Sequence, residues 1–214
     1  SWTGAVLTIL LLCTVLGGMR TIGNVTQILM PILSGFYLLA AILVLFQNRM
    51  QLPHAVSQIF QGAWHPEAVG GGTLGTVVAV GLRHGVFSNE AGLGSSAMIH
   101  SHTSDAVTGQ QGMWSMVEVF LDTMVCCTLT ALVLLCTGTG EMGSIQGITA
   151  AFSSVFGTFA ETAVSWVIAL FALATLLGWC CCGEVAVRYL GGTRCVIGYR
   201  WVYCLAAGLG AVLE

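Results

Sequence analysis

Residues 81–95 contain the side chains and backbone best suited to binding a charged ligand in an otherwise apolar sequence. The stretch contains Arg83, Asn89, Glu90 and four glycines within fifteen residues. Charged groups at membrane depth are costly and mark functional positions, and irregular backbone is tolerated there only where it lines a cavity or is buried in protein. The stretch therefore predicts an interrupted helix whose half-helix ends and unwound carbonyls can hold a charged small molecule and an ion.

A loop between two separate helices is the alternative interpretation of this stretch, with Arg83 and Glu90 as a solvated pair. Two observations argue against a loop. No other segment between residues 63 and 111 is apolar enough to cross a membrane. A loop here would also place the arginine-containing segments on both sides of the membrane instead of one.

Other polar side chains occupy apolar runs. Glu118 and Asp122 are four residues apart and share one face of a predicted helix. Two neighbouring carboxylates favour holding a proton between them, so a proton relay is one interpretation and hydrogen bonds that orient neighbouring helices are another. His84, His100 and His102 invite a metal or pH-switch interpretation, but they are also typical of polar residues at a membrane boundary.

Nine cysteines lie in the chain, most of them within long apolar runs, where cysteine behaves as a small buried side chain. Cys180, Cys181 and Cys182 are adjacent and point in different directions on a helix. They cannot bind one metal ion together without breaking that helix, so no metal site is predicted there.

Composition places the chain in a lipid bilayer. Of its 214 residues, 56% are hydrophobic and 7% are charged, and the mean hydropathy is +0.90. About a quarter of a soluble domain is charged, so fifteen charges cannot solvate the surface of a domain this long. The absence of lysine and the net charge of −3 leave no basic face for nucleic acid.

The apolar runs predict several membrane spans, because roughly 20 helical residues cross the hydrocarbon. Two short runs, 52–62 and 148–159, predict interfacial or non-spanning helices. Proline at position 31 is placed in the first turns of its span, where it is tolerated. The predicted spans are Trp2–Gly18, Val25–Phe46, the interrupted 69–99, Gly112–Cys136, Ala163–Tyr189 and the start of another at Trp201–Leu213.

Arginines predict the orientation of the spans. Because successive spans cross the membrane in opposite directions, the segments around residue 20, 100–111 and 184–200 fall on one side of the membrane. They carry four arginines, whereas the segments on the other side, 47–68 and 137–162, carry one. Cytoplasmic segments carry the excess of arginine and lysine. We therefore expect the first group inside the cell and the first span to run from outside to inside.

The run Arg83–Ser96, Arg-His-Gly-Val-Phe-Ser-Asn-Glu-Ala-Gly-Leu-Gly-Ser-Ser, resembles the signature of the alanine or glycine:cation (sodium:alanine) symporter family. Further similarity runs in register through Gln111-Gly112, Phe120–Thr123, Cys127–Ala131, Phe171–Trp179, Gly183-Glu184 and Tyr189-Leu190, and upstream at Gly17–Arg20 and Leu29–Pro31. Three features depart from the family's usual residues: Glu118 replaces a glycine, Ala174 a common threonine, and Cys180–Cys182 a Ser-Tyr-Tyr run.

The resemblance implies an all-α integral membrane protein with a partial five-plus-five inverted-repeat (LeuT-like) symporter fold, spanning approximately core helices 4 to 9. The chain begins at Ser1 and its last apolar run is cut at Glu214. We therefore expect residues 1–214 to be a single incomplete transporter domain, without the first core helices and the last one. The break at 87–92 would be the unwound middle of the sixth core helix.

The resemblance also implies the site. Phe87, Ser88 and Asn89 would line the pocket for alanine or glycine. Thr175 and Trp179 would face it from the eighth core helix, with Thr175 as a partial ligand for the coupling sodium ion. Simple core packing is the alternative for Phe87, and an interfacial belt position is the alternative for Trp179.

Three glycines, Gly85, Gly92 and Gly94, would form the hinge of the unwound helix. The implied function is sodium-coupled symport of alanine or glycine across the cytoplasmic (inner) membrane by a multi-pass protein, with no other cofactor.

Three other functions remain as alternatives. A channel or pore subunit would need a ring of similar polar residues from several chains, which a single asymmetric break does not suggest. A membrane-embedded enzyme would need a nucleophile–base or metal constellation, and the sequence contains none that we identify. An inactive truncated relic is the third, and an intact upstream reading frame with a polar break in an early helix would argue against it.

Overall fold

The computed structural model of the chain describes residues 2–64, 74–90, 92–100, 109–142 and 144–213, and within these ranges the regular structure is helical. The helices are α1 (Trp2–Leu16), α2 (Met19–Gln47), α3 (Leu52–Trp64), α4 (Leu74–Ser88), α5 (Ser95–His100), α6 (Gln110–Val119), α7 (Thr128–Thr137), α8 (Ser144–Phe156), α9 (Thr158–Gly191) and α10 (Thr193–Leu213). A π-helical segment, Phe120–Cys127, joins α6 to α7 without a break, and a short 3₁₀ turn, Gly140–Met142, precedes α8.

Three helices in the described part of the chain are long and apolar enough to cross a membrane. They are Met19–Gln47, Gln110–Thr137 and Thr158–Gly191, with 29, 28 and 34 residues. In a bilayer the helix satisfies every backbone polar group internally, which is why long apolar runs become helices. Each of the three contains one of the predicted spans, 25–46, 112–136 and 163–189, so these predictions are confirmed as helices.

The first and last predicted spans differ in length from expectation. Helix α1 has 15 residues and ends at Leu16, since Gly18 adopts a φ of 84° in the turn that follows. Helix α10 has 21 residues and begins at Thr193, eight residues before the predicted start at Trp201. The added turns, residues 193–200, carry Arg194 and Arg200. A helix can begin before the apolar run begins, because polar residues can also be helical.

The prediction that Pro31 lies in the first turns of its helix is wrong. Helix α2 begins at Met19, so Pro31 lies in its interior. Residues 19–24 lie between the predicted spans 2–18 and 25–46, but no proline or glycine pair within them ends a helix before Val25. An internal proline cannot donate a backbone hydrogen bond to the residue four positions earlier, which leaves the Gln27 carbonyl without that donor.

The chain divides into two compact units. Residues 1–37 and 163–214 form unit 1, and residues 38–162 form unit 2. In unit 1, α1 packs along α10, and seven side chains form the buried core: Leu11, Val15, Ile22, Leu173, Leu177, Cys180 and Cys204. Cys180 therefore belongs to a packed apolar core.

Small residues allow the helices of unit 1 to approach closely. A Cβ atom at Gly208 would lie 3.1 Å from Cγ2 of Thr8, and a Cβ atom at Gly183 would overlap the ring of Tyr199. Membrane helices use such positions because van der Waals packing holds them together. The Tyr203 hydroxyl adds a hydrogen bond to the Leu176 carbonyl at 2.7 Å.

In unit 2, the short helices α3 and α8 both pack against α7. Ala55, Val133, Cys136, Ala151 and Phe152 are almost completely buried in this unit. The segments 52–64 and 144–156 therefore lie at the same end of the long helix Gln110–Thr137, as the arginine distribution predicts for 47–68 and 137–162.

Candidate functional site

The predicted helix interruption is present between α4 and α5. Helix α4 continues through Phe87 and Ser88, so the break begins at Asn89, two residues later than expected, and ends where α5 starts at Ser95. Glu90, Gly92 and Gly94 have positive φ angles of 50°, 81° and 82°. A positive φ is uncommon for a residue other than glycine, which marks Glu90 as an unusual backbone position.

Gly92 and Gly94 provide the conformations that this break requires, since glycine adopts positive φ without steric cost. Gly85 lies inside α4, before the break, and its carbonyl accepts the backbone N–H of Asn89 at 3.2 Å. Ala91 lies outside the described residues.

Two hydrogen bonds hold the side-chain amide of Asn89. Its Nδ2 donates to the Gly85 carbonyl at 3.1 Å, and its Oδ1 accepts from the Thr123 hydroxyl at 2.8 Å. The first bond closes the C-terminal turn of α4. The second connects the break to the helix Gln110–Thr137, since Thr123 lies in that helix, 34 residues after Asn89.

Thr123 lies in the π-helical segment Phe120–Cys127. A π segment widens the helix and changes the direction of the side chains that follow, and such segments occur frequently at functional sites. Asp122, the next residue toward the N-terminus, lies in the same segment. The wider turn therefore carries two of the polar side chains that face the break.

A polar cavity of about 320 Å³ lies between the break, α5 and the first half of the helix Gln110–Thr137. Its volume is at the lower end of the range for small-molecule sites. The lining includes three carboxylates, four serines, an asparagine and a histidine, and its polar members are Ser88, Asn89, Glu90, Ser95, Ser96, His100, Ser115, Glu118 and Asp122.

Hydrogen bonds across this cavity tie α5 to α6. The Ser96 and Ser115 hydroxyls lie 2.9 Å apart. His100 Nδ1 lies 2.6 Å from Gln111 Oε1, and its Nε2 lies 3.4 Å from Glu118 Oε2. His100, predicted as a boundary residue, thus links two helices, and Glu118 takes part in the same link.

A second cavity of about 570 Å³ shares Asn89 with the first. It is more apolar, and Met116, Val119, Phe120 and Met124 contribute to its lining beside Thr123. Asn89 therefore stands between a polar cavity and an apolar one, an arrangement suited to a ligand with a charged part and a small apolar part.

The sequence-predicted site residues occupy both units. Ser88 and Asn89 line the polar cavity together, whereas Phe87 lines a separate cavity with Arg83, His84 and Ser88. The side chain of Phe87 is 64% exposed within the described structure. His102 lies outside the described residues.

Thr175 and Trp179 lie in unit 1, on α9. Both side chains are exposed, on the side of α9 away from the buried Leu173, Leu177 and Cys180. The Thr175 hydroxyl donates to the Phe171 carbonyl of its own helix at 3.0 Å. Its oxygen keeps lone pairs that can still accept a hydrogen bond or bind a cation.

A buried carboxylate in unit 1 has no counterpart among the sequence-predicted site residues. Glu184 is 0% exposed, and Arg200 binds both of its oxygens, with Nε at 2.9 Å from Oε2 and Nη2 at 2.8 Å from Oε1. Arg188 adds a third bond at 2.9 Å to Oε1. A Cβ atom at Gly18 would lie 3.1 Å from Nη2 of Arg200, so the α1–α2 turn lies against this cluster.

Several lining residues of the polar cavity could not be assigned from sequence. Ser95 and Ser96 lie in the run that resembles the family signature, and Thr123 lies in a segment that continues the resemblance, but this similarity alone does not predict that they line a cavity or contact Asn89. Ser115 carries no pattern that separates it from other serines in apolar runs. The polar character of Glu118, Asp122 and His100 in apolar surroundings is a further signal that points toward the cavity.

Comparisons with known proteins identify the family of this chain. The whole chain, residues 1–214, matches the model of the sodium:alanine symporter family. The chain belongs to the sodium:alanine symporter family. It is therefore part of a family of membrane transporters, and its apolar helices fit that class.

Individual relatives are similar along nearly the whole chain. The sodium/alanine symporter AgcS of Methanococcus maripaludis is 36% identical over 214 residues, covering 98% of this chain and 47% of that protein. An uncharacterized transporter of Haemophilus influenzae is 34% identical over 220 residues, covering 99% of this chain and 48% of that protein. The probable sodium/glutamine symporter GlnT of Bacillus subtilis is 30% identical over 186 residues, covering 86% and 39%. The chain spans about half the length of these relatives.

Proposed function

We propose that this chain forms part of a sodium-coupled symporter that carries a small neutral amino acid, alanine or glycine, across the cell membrane by alternating access. The observation that carries the proposal is the polar break 89–94 within the family signature. Secondary transporters bind substrate and coupling ion where a helix is interrupted, because half-helix ends and free carbonyls offer partial charges to both.

The proposed substrate-binding residues of unit 2 are Phe87, Ser88 and Asn89. Ser88 and Asn89 offer hydrogen bonds to the charged groups of the amino acid, and Phe87 covers its small side chain. In unit 1, the family resemblance implies substrate-binding roles for Thr175 and Trp179 on α9, with Thr175 contributing a hydroxyl oxygen to sodium. A hard cation prefers oxygen ligands of this kind.

Gly92 and Gly94 act as the hinge on which the half-helices move, since glycine has no Cβ and adopts the positive φ values found there without steric cost. Gly85, which is helical, takes part if the last turn of α4 unwinds during the transport cycle.

The proposed architecture is a multi-pass protein of the cytoplasmic membrane with the five-plus-five inverted-repeat fold, in which this chain spans core helices 4 to 9. The grouping of arginines supports the orientation, because Arg188 and Arg200 converge on Glu184 beside the Gly18 turn. The segments around residue 20 and 184–200 therefore share one end of unit 1, and we assign that end to the cytoplasm.

Transport by the complete gene product in proteoliposomes tests the proposal. An inward sodium gradient should drive accumulation of labelled alanine, and replacing sodium with potassium or choline should abolish it. Unlabelled glycine should compete, whereas glutamine should not. Uptake driven by a proton gradient alone would contradict sodium coupling. No uptake of alanine or glycine under a sodium gradient would overturn the proposed function.

A further inference from the structure

The orientation of the Asn89 amide is fixed by the chemistry of its partners. The Gly85 carbonyl can only accept a hydrogen bond, so the group that faces it at 3.1 Å must be the NH₂ end of the amide. The carbonyl end then faces Thr123 Oγ1 at 2.8 Å and accepts from that hydroxyl. A flipped amide would set two oxygens against each other at Gly85 and leave the NH₂ group as the donor to Thr123.

These two bonds use half of the hydrogen-bonding capacity of the amide. An asparagine side chain has two N–H donors and two acceptor lone pairs. Among the described contacts, Asn89 keeps one Nδ2–H and one lone pair of Oδ1 uncommitted. The uncommitted N–H is a donor suited to a carboxylate oxygen.

Thr123 contacts Asn89 from within the π-helical segment. The segment Phe120–Cys127 interrupts an otherwise α-helical run, and Thr123 is its fourth residue. The hydroxyls of Thr137 and Thr149 donate to carbonyls of their own helices instead, at 2.8 Å and 2.9 Å. The Thr123 hydroxyl is different, because it donates to a side chain in the break.

We propose that Thr123 is a positioning residue for substrate binding: its hydroxyl holds the Asn89 amide so that the remaining Nδ2–H is presented to the carboxylate of the amino acid. This inference rests on the proposed function and adds a residue outside the family signature to the site. Without the hydroxyl, the amide can rotate and lose its alignment, so affinity falls although Asn89 itself is still present.

The experiment compares variants of the complete gene product in sodium-driven alanine uptake. Thr123→Val removes the hydroxyl and keeps the shape, and Thr123→Ser keeps the hydroxyl. We expect Thr123→Val to raise the KM for alanine about tenfold with a smaller change in maximal rate, and Thr123→Ser to stay within about twofold of wild type. Thr149→Val, which loses a hydroxyl bonded within its own helix, is the matched control and should leave KM unchanged.

A double-variant cycle separates positioning from a general structural effect. Asn89→Ala should sharply weaken alanine uptake. If Thr123 acts through Asn89, Thr123→Val should add no more than about twofold to the KM of Asn89→Ala, because coupled residues are non-additive. Additive effects, or failure of Thr123→Ser to restore KM, would overturn the inference. If Thr123→Val does not accumulate in the membrane, Thr123→Ala replaces it in the same cycle.

The two proposals fail in different ways. Wild-type uptake with a normal KM in Thr123→Val overturns the positioning role and leaves the proposed function intact. Absence of sodium-driven uptake of both alanine and glycine in the wild type overturns the proposed function and, with it, the inference.

Discussion

Glu184 shows how single residues in this chain depend on distant partners. A fully buried carboxylate is tolerated only when it is paired and hydrogen-bonded, and Glu184 receives three bonds from two arginines. Arg188 is one helical turn away, so its contact follows from the sequence. Arg200 lies on the next helix, after the turn at Gly192, and its two contacts depend on the packing of α9 against α10.

Substitutions in this cluster should differ in severity according to burial and bond number. Glu184→Ala leaves two arginines without their counter-ion, and breaking a buried pair in this way costs about 3–5 kcal/mol. Arg200→Gln should lower the melting temperature more than Arg188→Gln, since Arg200 is 17% exposed with two bonds and Arg188 is 49% exposed with one. Thermal unfolding of the purified protein in detergent gives the order.

Equal losses for Arg188→Gln and Arg200→Gln would contradict the assigned geometry. Arg20→Gln, in the same predicted cytoplasmic group but with no described ion pair, is the control and should unfold close to the wild-type temperature.

At the scale of elements, the break between α4 and α5 was predictable because its cause is local. Glycine, asparagine and charged residues disfavour an apolar helix, and they cluster at 81–95. Gly81, Arg83 and Gly85 remain inside α4, whereas Asn89 to Gly94 interrupt the helical run. The exact start was less predictable, since α4 retains Phe87 and Ser88. The π segment gave no local signal, because its residues are those of an ordinary membrane helix.

Replacement of Gly94 tests the backbone conformation of the break. Gly94 has a φ of 82°, which an alanine adopts only under strain of about 1–3 kcal/mol. Gly94→Ala should therefore lower the melting temperature and the rate of sodium-driven alanine uptake. Gly81→Ala is the matched control, because Gly81 lies inside α4 with no neighbouring atom within 4 Å of the added Cβ.

Alanine favours a helix interior by about 1 kcal/mol over glycine. Gly81→Ala should consequently be neutral or slightly stabilising. A Gly94→Ala variant as stable as Gly81→Ala would show that the break adopts another backbone conformation.

At the scale of the whole molecule, the distribution of arginines predicts which segments face the cytoplasm. The four arginines around residue 20 and in 184–200 indicate the inner side, whereas the turn 48–51 belongs to the outer group. Contacts within each unit agree with this grouping: Arg200 reaches the Gly18 turn in unit 1, and α3 and α8 share α7 in unit 2.

Thiol labelling in cells tests this orientation. Cys195 is exposed in the predicted cytoplasmic group, and Met50, 86% exposed, lies in the predicted outer turn. In a background where the other cysteines are replaced, a membrane-impermeant maleimide should leave Cys195 unlabelled in intact cells and label it in inside-out vesicles. Met50→Cys, in a background without Cys195, should show the reverse pattern. The opposite result at either position would invert the topology.

The sequence by itself determined that this protein lies in a lipid bilayer, where its long helices are, and where a break interrupts one helical run. These properties depend on composition and on residues close together in the chain, and hydrophobic transfer and glycine conformation act at that range. Only the tertiary structure decided that Thr123 holds Asn89, that His100 meets Glu118 and that Arg200 neutralises Glu184. Each of those contacts joins residues between 16 and 34 positions apart on different elements, so it depends on how the helices pack. The Thr123 contact also involves a π-helical segment, which no local sequence pattern predicts.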